Sequence, residues 1–253
     1  AMGRLGPVWI ESLLGAGARV AALELPDAKP SDAYATLQAH YGDEQLRFYH
    51  ADVRDRVQLE AARTRCTNEL GTASILVNNA GLDQPPGPAA TYRVADVPAQ
   101  QFSDVFAVNV IGAFQATQIF GEVMCETGGG SIINIGSLYA SVSPDARYYD
   151  HLDSDPPFLK PPAYGASKAA LVNLTHYLAT HWAQHSVRVN ALSPGGVLGG
   201  QDAAFKKKFC ARVPLGRMAE ARDLMGPLVF LASPAASYVT GIELRVDGGY
   251  TAW

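Results

Sequence analysis

The chain has 253 residues and a formal net charge of −4, with 17% charged and 48% hydrophobic residues. That balance suits one large domain with a sizeable core and argues against a nucleic-acid footprint, which would be basic. No apolar run approaches the roughly 20 residues needed to span a bilayer, and no charged-then-apolar leader is present, so the expectation is a soluble, cytoplasmic protein.

Read in chain order, Gly3 and Gly6 flank Arg4-Leu5, and Ile10, Leu13 and Leu14 follow at helical spacing until Gly15 and Gly17 end the helix. A glycine-rich turn at a helix N-terminus brings backbone N–H groups up to the phosphates of a dinucleotide. Such a turn ordinarily hangs from a buried strand. None precedes it here, so a strand upstream of Ala1 is expected.

The runs ARVAALEL, LRFYHADV, ASILVNNAG, GSIINIGS, SVRVNALSPG and GIELRVDGG read as strands, and 54–70, 99–125, 163–183 and 220–231 as helices. Strands rich in Val, Ile and Leu without strict alternation suit a parallel sheet buried on both faces. The alternation predicts a single-domain, doubly wound α/β fold of three layers. The proline-rich segment 143–162 has no period and is long for a loop in a compact domain, which points to a functional loop or a mobile excursion. Lys206-Lys207-Lys208 reads as the solvated face of a helix. Cys66, Cys125 and Cys210 are odd in number and far apart, fitting reduced thiols, and no CxxC or HxxxH spacing suggests a metal.

Tyr164 and Lys168 stand at i and i+4, on one face of a helix. A free tyrosine has a pKa near 10, so about 0.1% is ionised at pH 7, and roughly 4 kcal/mol would make it a usable base there. A lysine ammonium at about 4 Å gives that order of Coulomb energy at an effective dielectric near 20. The spacing alone is common on surface helices, and its companions carry the argument. Ser137 follows a buried strand, where its hydroxyl can meet a substrate oxygen or cap a turn. Asn78, Asn79, Ala80 and Gly81 end another strand with small or turn-forming residues. Asn109 is the polar residue of an otherwise apolar helix and needs hydrogen-bond partners or a water.

Together, in this order, these motifs resemble the compact branch of the short-chain dehydrogenase/reductase family over essentially the whole chain, with ADV, NNAG, SPGGV and the terminal VDGGYTAW as further markers. The resemblance implies a Rossmann-type fold and a secondary alcohol–ketone interconversion by hydride transfer. Tyr164 would be the acid/base. Lys168 would lower its pKa and bind the nicotinamide ribose, Ser137 would orient the substrate oxygen, and Asn109 would hold a water in a proton relay. Gly3, Leu5 and Gly6 would form the phosphate turn, Asn79, Ala80 and Gly81 would line the cofactor ribose, Asp52 and Val53 the adenine, and Pro194, Gly195 and Val197 the nicotinamide. Glu24, at the end of VAALE, would accept the ribose hydroxyls of NAD and repel the 2′-phosphate of NADP. The family also implies a homodimer or homotetramer.

Two departures stand out. Ser137 and Tyr164 are 27 positions apart, about twice the family's usual spacing; the extra residues would sit above the active site, where Arg147, Tyr148, Tyr149, His151 and Lys160 are expected to contact a polar substrate. PGGVLGG lacks the threonine that many relatives place near the cofactor amide. Resemblance to relatives of surface-sugar biosynthesis favours a hydroxylated, sugar- or polyol-like small molecule over nucleic acid or membrane. The rival readings are a sugar-nucleotide epimerase or dehydratase, and a nucleotide-binding module that has lost catalysis.

Overall fold

A computed structural model describes residues 1–84 and 92–253. Helix α1 (Gly6–Gly15) opens the fold, with Pro7 in its first turn, where the missing N–H is no loss. Strand β1 (Val20–Glu24), helix α2 (Asp32–Tyr41), β2 (Leu46–His50), α3 (Arg56–Leu70) and β3 (Ile75–Asn78) follow. Ser31 and Asp55 cap α2 and α3 by accepting from backbone N–H groups of the first turn. Helices α4 (Ala99–Phe106) and α5 (Ala113–Glu126) are continuous through a π-helical stretch, Ala107–Gly112. Then come β4 (Gly130–Ile135), α6 (Pro162–Trp182), β5 (Val187–Pro194), α7 (Ala203–Cys210), α8 (Ala221–Ala232) and β6 (Glu243–Val246).

Every strand pairing is parallel: β1 with β2, and β3, β4, β5 and β6 in sequence. Helices α1, α2 and α8 share one apolar cluster against the strands, in which Trp9, Ile10, Leu14, Ile133, Leu192, Leu224 and Leu228 are buried. On the opposite face, Leu59 and Cys66 of α3 meet Ala116, Ile119 and Phe120 of α5, while Met124, Leu178 and Trp182 pack on Ile132 and Val189. This is the three-layer, Rossmann-type arrangement expected from the alternation of elements, and it sets the C-terminal ends of parallel strands along one edge, where ligands bind in such sheets.

The hydrogen-bond ladder is interrupted between β1 and β3. Val20 N–H donates to the Gln45 carbonyl and the Glu24 carbonyl accepts from Ala51, so alternation turns the backbone of Ala21 and Leu23 away from β2. On β3, the Ser74 carbonyl accepts from Ser131 of β4, which turns Ile75 and Val77 the other way. Between these two edges lies a cavity of about 350 Å³, lined by β1, β3, Trp9, Ile10, Leu59 and Phe120. At its mouth the Ala1 nitrogen donates to the Leu23 carbonyl at 2.8 Å. Chain joined at that nitrogen and drawn through the slot would run parallel to both strands.

The segment 143–162, read from sequence as a loop, carries its own core. Tyr148 and Tyr149 pack edge-on or tilted against Phe158, Phe205 and Phe209, and the Tyr148 and Tyr250 hydroxyls are 2.7 Å apart. Lys208 of α7 pairs with Asp150, while Lys207 faces solvent. All three cysteines are free thiols.

The slot generates a test. A six-residue Val/Ile/Ala extension placed directly before Ala1 is expected to raise the thermal midpoint by about 5–15 °C, taking roughly 2–4 °C per kcal/mol for a domain of this size. The same extension with proline at alternate positions should not, because proline cannot donate to the ladder. Equal midpoints for the two extensions would show that the slot does not take a strand.

Candidate active site

Strand β4 ends at Ile135, and Gly136 turns the chain toward Ser137. A Cβ at Gly136 would collide with the Ser193 hydroxyl of β5, so only glycine lets the two strand ends pack this closely. Ser137 is buried and its hydroxyl accepts from Tyr139 N–H at 3.2 Å, capping the short turn Leu138–Ala140. Helix α6 lies against this turn and carries Tyr164 and Lys168 on the side facing Ser137. Ser137 lies beside the Tyr164 phenol and favours its ionised form, but burial outweighs this and, with the negative charge of Asp83, raises the Tyr164 pKa above its usual value.

Lys168 is buried, and its Nζ donates to the Ile135 carbonyl at 2.7 Å and sits 5.7 Å from the centre of the Tyr164 ring. Burial pushes its pKa down to about 8, with Asp83 opposing the shift. Burial is the largest influence on both groups, and the phenol rests neutral beside the ammonium.

Asn109 sits in the π-helical stretch, fully buried. Such stretches re-aim side chains and recur at functional sites. Its Oδ1 accepts from Leu82 N–H at 2.7 Å, and its Nδ2 donates to the Leu82 carbonyl and the Ser167 hydroxyl. The side chain thus latches the segment after β3 from both sides. Just before it, a Cβ on Gly81 would lie 3.6 Å from Lys168 Nζ, so this backbone runs directly past the ammonium.

The other predicted residues gather along the same edge. The Gly3–Gly6 turn is closed by a Gly6 N–H to Gly3 carbonyl bond, and the space around the Cα of Gly3 is open. Trp9 Nε1 donates to Asn79 Oδ1 at 2.7 Å, and Arg4 Nη2 donates to the Val197 carbonyl at 2.6 Å, tying the turn to Asn79–Gly81 on one side and to Pro194, Gly195 and Val197 on the other. Val53 packs against Gly112, where a Cβ would come within 2.6 Å of it. Asp52 is gripped by Arg54, whose hydrogen bonds hold its carboxyl below the usual range against the opposing effect of burial. Burial pushes the Glu24 carboxyl up, but hydrogen bonds to it, among them those from Met2 N–H and Leu25 N–H, leave the pKa lowered. A glycine turn at a helix start, open space at Gly3, and an anionic strand end beside it form a cradle whose chemistry fits a dinucleotide.

Of the five residues of the long segment expected near the substrate, only Lys160 and Tyr149 reach this cluster. Burial raises the Tyr149 pKa to about 12, with Tyr139 beside it opposing the shift. Arg147 turns to Asp145, Tyr148 to Tyr250 and His151 to Asp202. Lys160 is buried to 6% side-chain exposure, pairs with Asp83 at 2.6 Å, and lies 5.3 Å and 5.9 Å from the Tyr164 and Tyr139 ring centres. Asp83 was missed in the sequence, where nothing distinguished it from a polar loop residue. Also missed was a buried chain of hydrogen bonds beneath the site, in which Asn78 Nδ2 donates to Thr117 and Asn134, and Asn134 Nδ2 donates to Thr175. Asparagines inside the runs ILVN and SIINI were its signal.

Residues 9–251 match the profile of the family described as enoyl-(acyl carrier protein) reductase. A galactitol 2-dehydrogenase (L-tagatose-forming) of Cereibacter sphaeroides is 37% identical over 209 residues, covering 80% of this chain and 75% of that protein. A short-chain dehydrogenase of Leptospira borgpetersenii with bound NAD+ superposes with a TM-score of 0.84 at 31% identity, covering 99% of this chain and 89% of the other. A gluconate 5-dehydrogenase of Burkholderia cenocepacia in complex with NADP and tartrate superposes with a TM-score of 0.83 at 28% identity, with coverage of 99% and 92%.

The Asn109 latch has a measurable energy. Asn109→Ala removes the two side-chain bonds to the Leu82 backbone and the one to the Ser167 hydroxyl, and chemical denaturation should show a loss of about 0.5–1.5 kcal/mol per bond. An unchanged denaturation midpoint would mean the latch does not hold.

Proposed function

We propose, from the premise that this chain belongs to the short-chain dehydrogenase/reductase family, that it is an NAD-preferring oxidoreductase interconverting a secondary alcohol of a polyol-like substrate with its ketone. The observation that carries this reading is the Tyr164 phenol, set beside Ser137 and flanked by the Lys168 ammonium at the C-terminal edge of the parallel strands.

A bound nicotinamide cofactor supplies or takes up the hydride. Residues 3–6 would receive its phosphates, Asn79, Ala80 and Gly81 its ribose, Asp52 and Val53 its adenine, and Pro194, Gly195 and Val197 the nicotinamide end. Ser137 donates to the substrate oxygen and fixes it beside the phenol. In ketone reduction, neutral Tyr164 delivers the proton to that oxygen, and the Lys168 charge stabilises the phenolate left behind. In alcohol oxidation, Tyr164 must first be deprotonated, and the same charge lowers the cost of that form. Asn109 holds the backbone that runs past Lys168, and its Oδ1 retains capacity for the relay water implied by the family.

The preference for NAD rests on Glu24, an anion at the end of β1 where a 2′-phosphate would lie; the relatives bind both nucleotides, NADP in one structure and NAD+ in another. Phe102, Ile111 and Tyr177 are exposed on α4, the π-helical stretch and α6, and this apolar surface supports a homodimer or homotetramer. The galactitol 2-dehydrogenase relative supports the polyol class.

Tyr164→Phe should keep NADH binding by fluorescence titration while kcat falls by about 10²–10⁴-fold, the usual worth of a general acid–base. Unchanged turnover would remove Tyr164 from the mechanism. Because its resting pKa is raised, oxidation should climb with pH from neutrality upward, whereas reduction should fall as pH passes the Lys168 value of about 8. Parallel pH profiles for the two directions would contradict this assignment. Glu24→Ala should narrow the NAD/NADP ratio of kcat/KM by about tenfold, the equivalent of roughly 1.4 kcal/mol; an unaltered ratio would exclude Glu24 as the selector.

A further inference from the structure

The long segment 143–162 ends by delivering a buried ammonium to the catalytic tyrosine. Phe158 is locked against Tyr149, and two residues later Lys160 enters the site from this fixed point. Its Nζ donates to Asp83 Oδ1, which also accepts from Gln84 N–H at 2.8 Å. Asp83 itself is held in place by its neighbour Leu82, which Asn109 binds through both backbone groups. The Asp83 side chain remains 48% exposed while Lys160 is almost wholly covered. The pair therefore presents a carboxylate oxygen outward and keeps its cation behind it.

Electrostatics then separates two substrate classes of similar shape. A sugar acid brings a carboxylate that needs a cation with free donor capacity, whereas the Lys160 charge is already neutralised at 2.6 Å. The exposed Asp83 oxygen offers an anion no free cation to pair with, while it accepts hydrogen bonds from hydroxyls. Lys168 offers no substitute, since it is buried and bonded to Ile135.

We propose that the Lys160–Asp83 pair is a specificity determinant beside Tyr164, through which the site takes uncharged polyols and rejects sugar acids of the same length. The inference rests on the alcohol–ketone reading above and assigns its substrate class. The carboxylate of Asp83 accepts from a hydroxyl near the reacting carbon, and Lys160 orients that carboxylate without offering its charge to the ligand. Removing the acid uncovers the cation and inverts the preference.

The test uses the full chain with saturating NAD+. Calorimetric binding and initial rates would be measured for a neutral hexitol, galactitol, and for a hexonate, gluconate. The wild type should favour galactitol at least tenfold. Asp83→Asn, which retains a hydrogen-bond acceptor while freeing Lys160, should shift the galactitol/gluconate ratio at least tenfold toward gluconate. Lys160→Met in that background should return the ratio toward the polyol, which a merely structural pair would not do. The D83E variant keeps the charge and should keep the wild-type preference if Asp83→Asn fails to fold. A ratio unchanged within twofold in folded Asp83→Asn, or a shift toward gluconate in D83E, overturns the proposal. Turnover of galactitol with a flat ratio would leave the dehydrogenase reading standing and remove only the pair. A shifted binding ratio without turnover of either compound would do the reverse.

Discussion

The site depends on a lysine ammonium held out of water. Lys168 is only 4% exposed, and its hydrogen bond among the described residues runs to the carbonyl of Ile135, the last residue of β4. A buried charge is costly unless it is bonded or paired, and here the strand end supplies a dipole rather than an anion. That leaves the positive field for whatever charge develops on Tyr164, one helical turn away. An aspartate bonded directly to Lys168 would stabilise the protein and quench the chemistry. The nearest acid, Asp83, is instead committed to a second lysine.

The surrounding structure serves this placement. Gly136 lets backbone approach where a side chain would collide with Ser193. The asparagine–threonine chain of Asn78 and Asn134 locks β3 to β4 just below the site, bridging to α5 and α6. The π-helical stretch then turns Asn109 inward to hold the next loop. Rigid elements thus carry the reacting groups, while the segment that closes over them is anchored by an aromatic cluster of its own. Position and electrostatics are what the protein contributes; the cofactor brings the redox chemistry.

Much of this was legible in the residues. The apolar runs gave all six strands and the glycine turn gave the first helix, because burial on both faces leaves a continuous hydrophobic signature. Tyr164, Lys168, Ser137 and Asn109 could be singled out because each is polar or titratable in an apolar or turn context. Two properties were not legible. The raised pKa of Tyr164 depends on how far its ring is desolvated and on where Lys168 donates, neither of which spacing encodes. The Lys160–Asp83 contact joins residues 77 positions apart and exists only because the long segment folds back over β3. Its path is set by aromatic packing against α7, which has no local pattern. Three of its candidate contacts accordingly turned to structural partners, while Tyr149 and Lys160 reached the site.

The most direct test of the account is the product itself. Galactitol and NAD+ would be incubated with the full chain, and the products followed by NMR alongside NADH absorbance. The account predicts a ketose oxidised at a secondary carbon, formed in equal amount to NADH. An aldose from the primary carbon, or binding of NAD+ with no oxidised polyol, would contradict it.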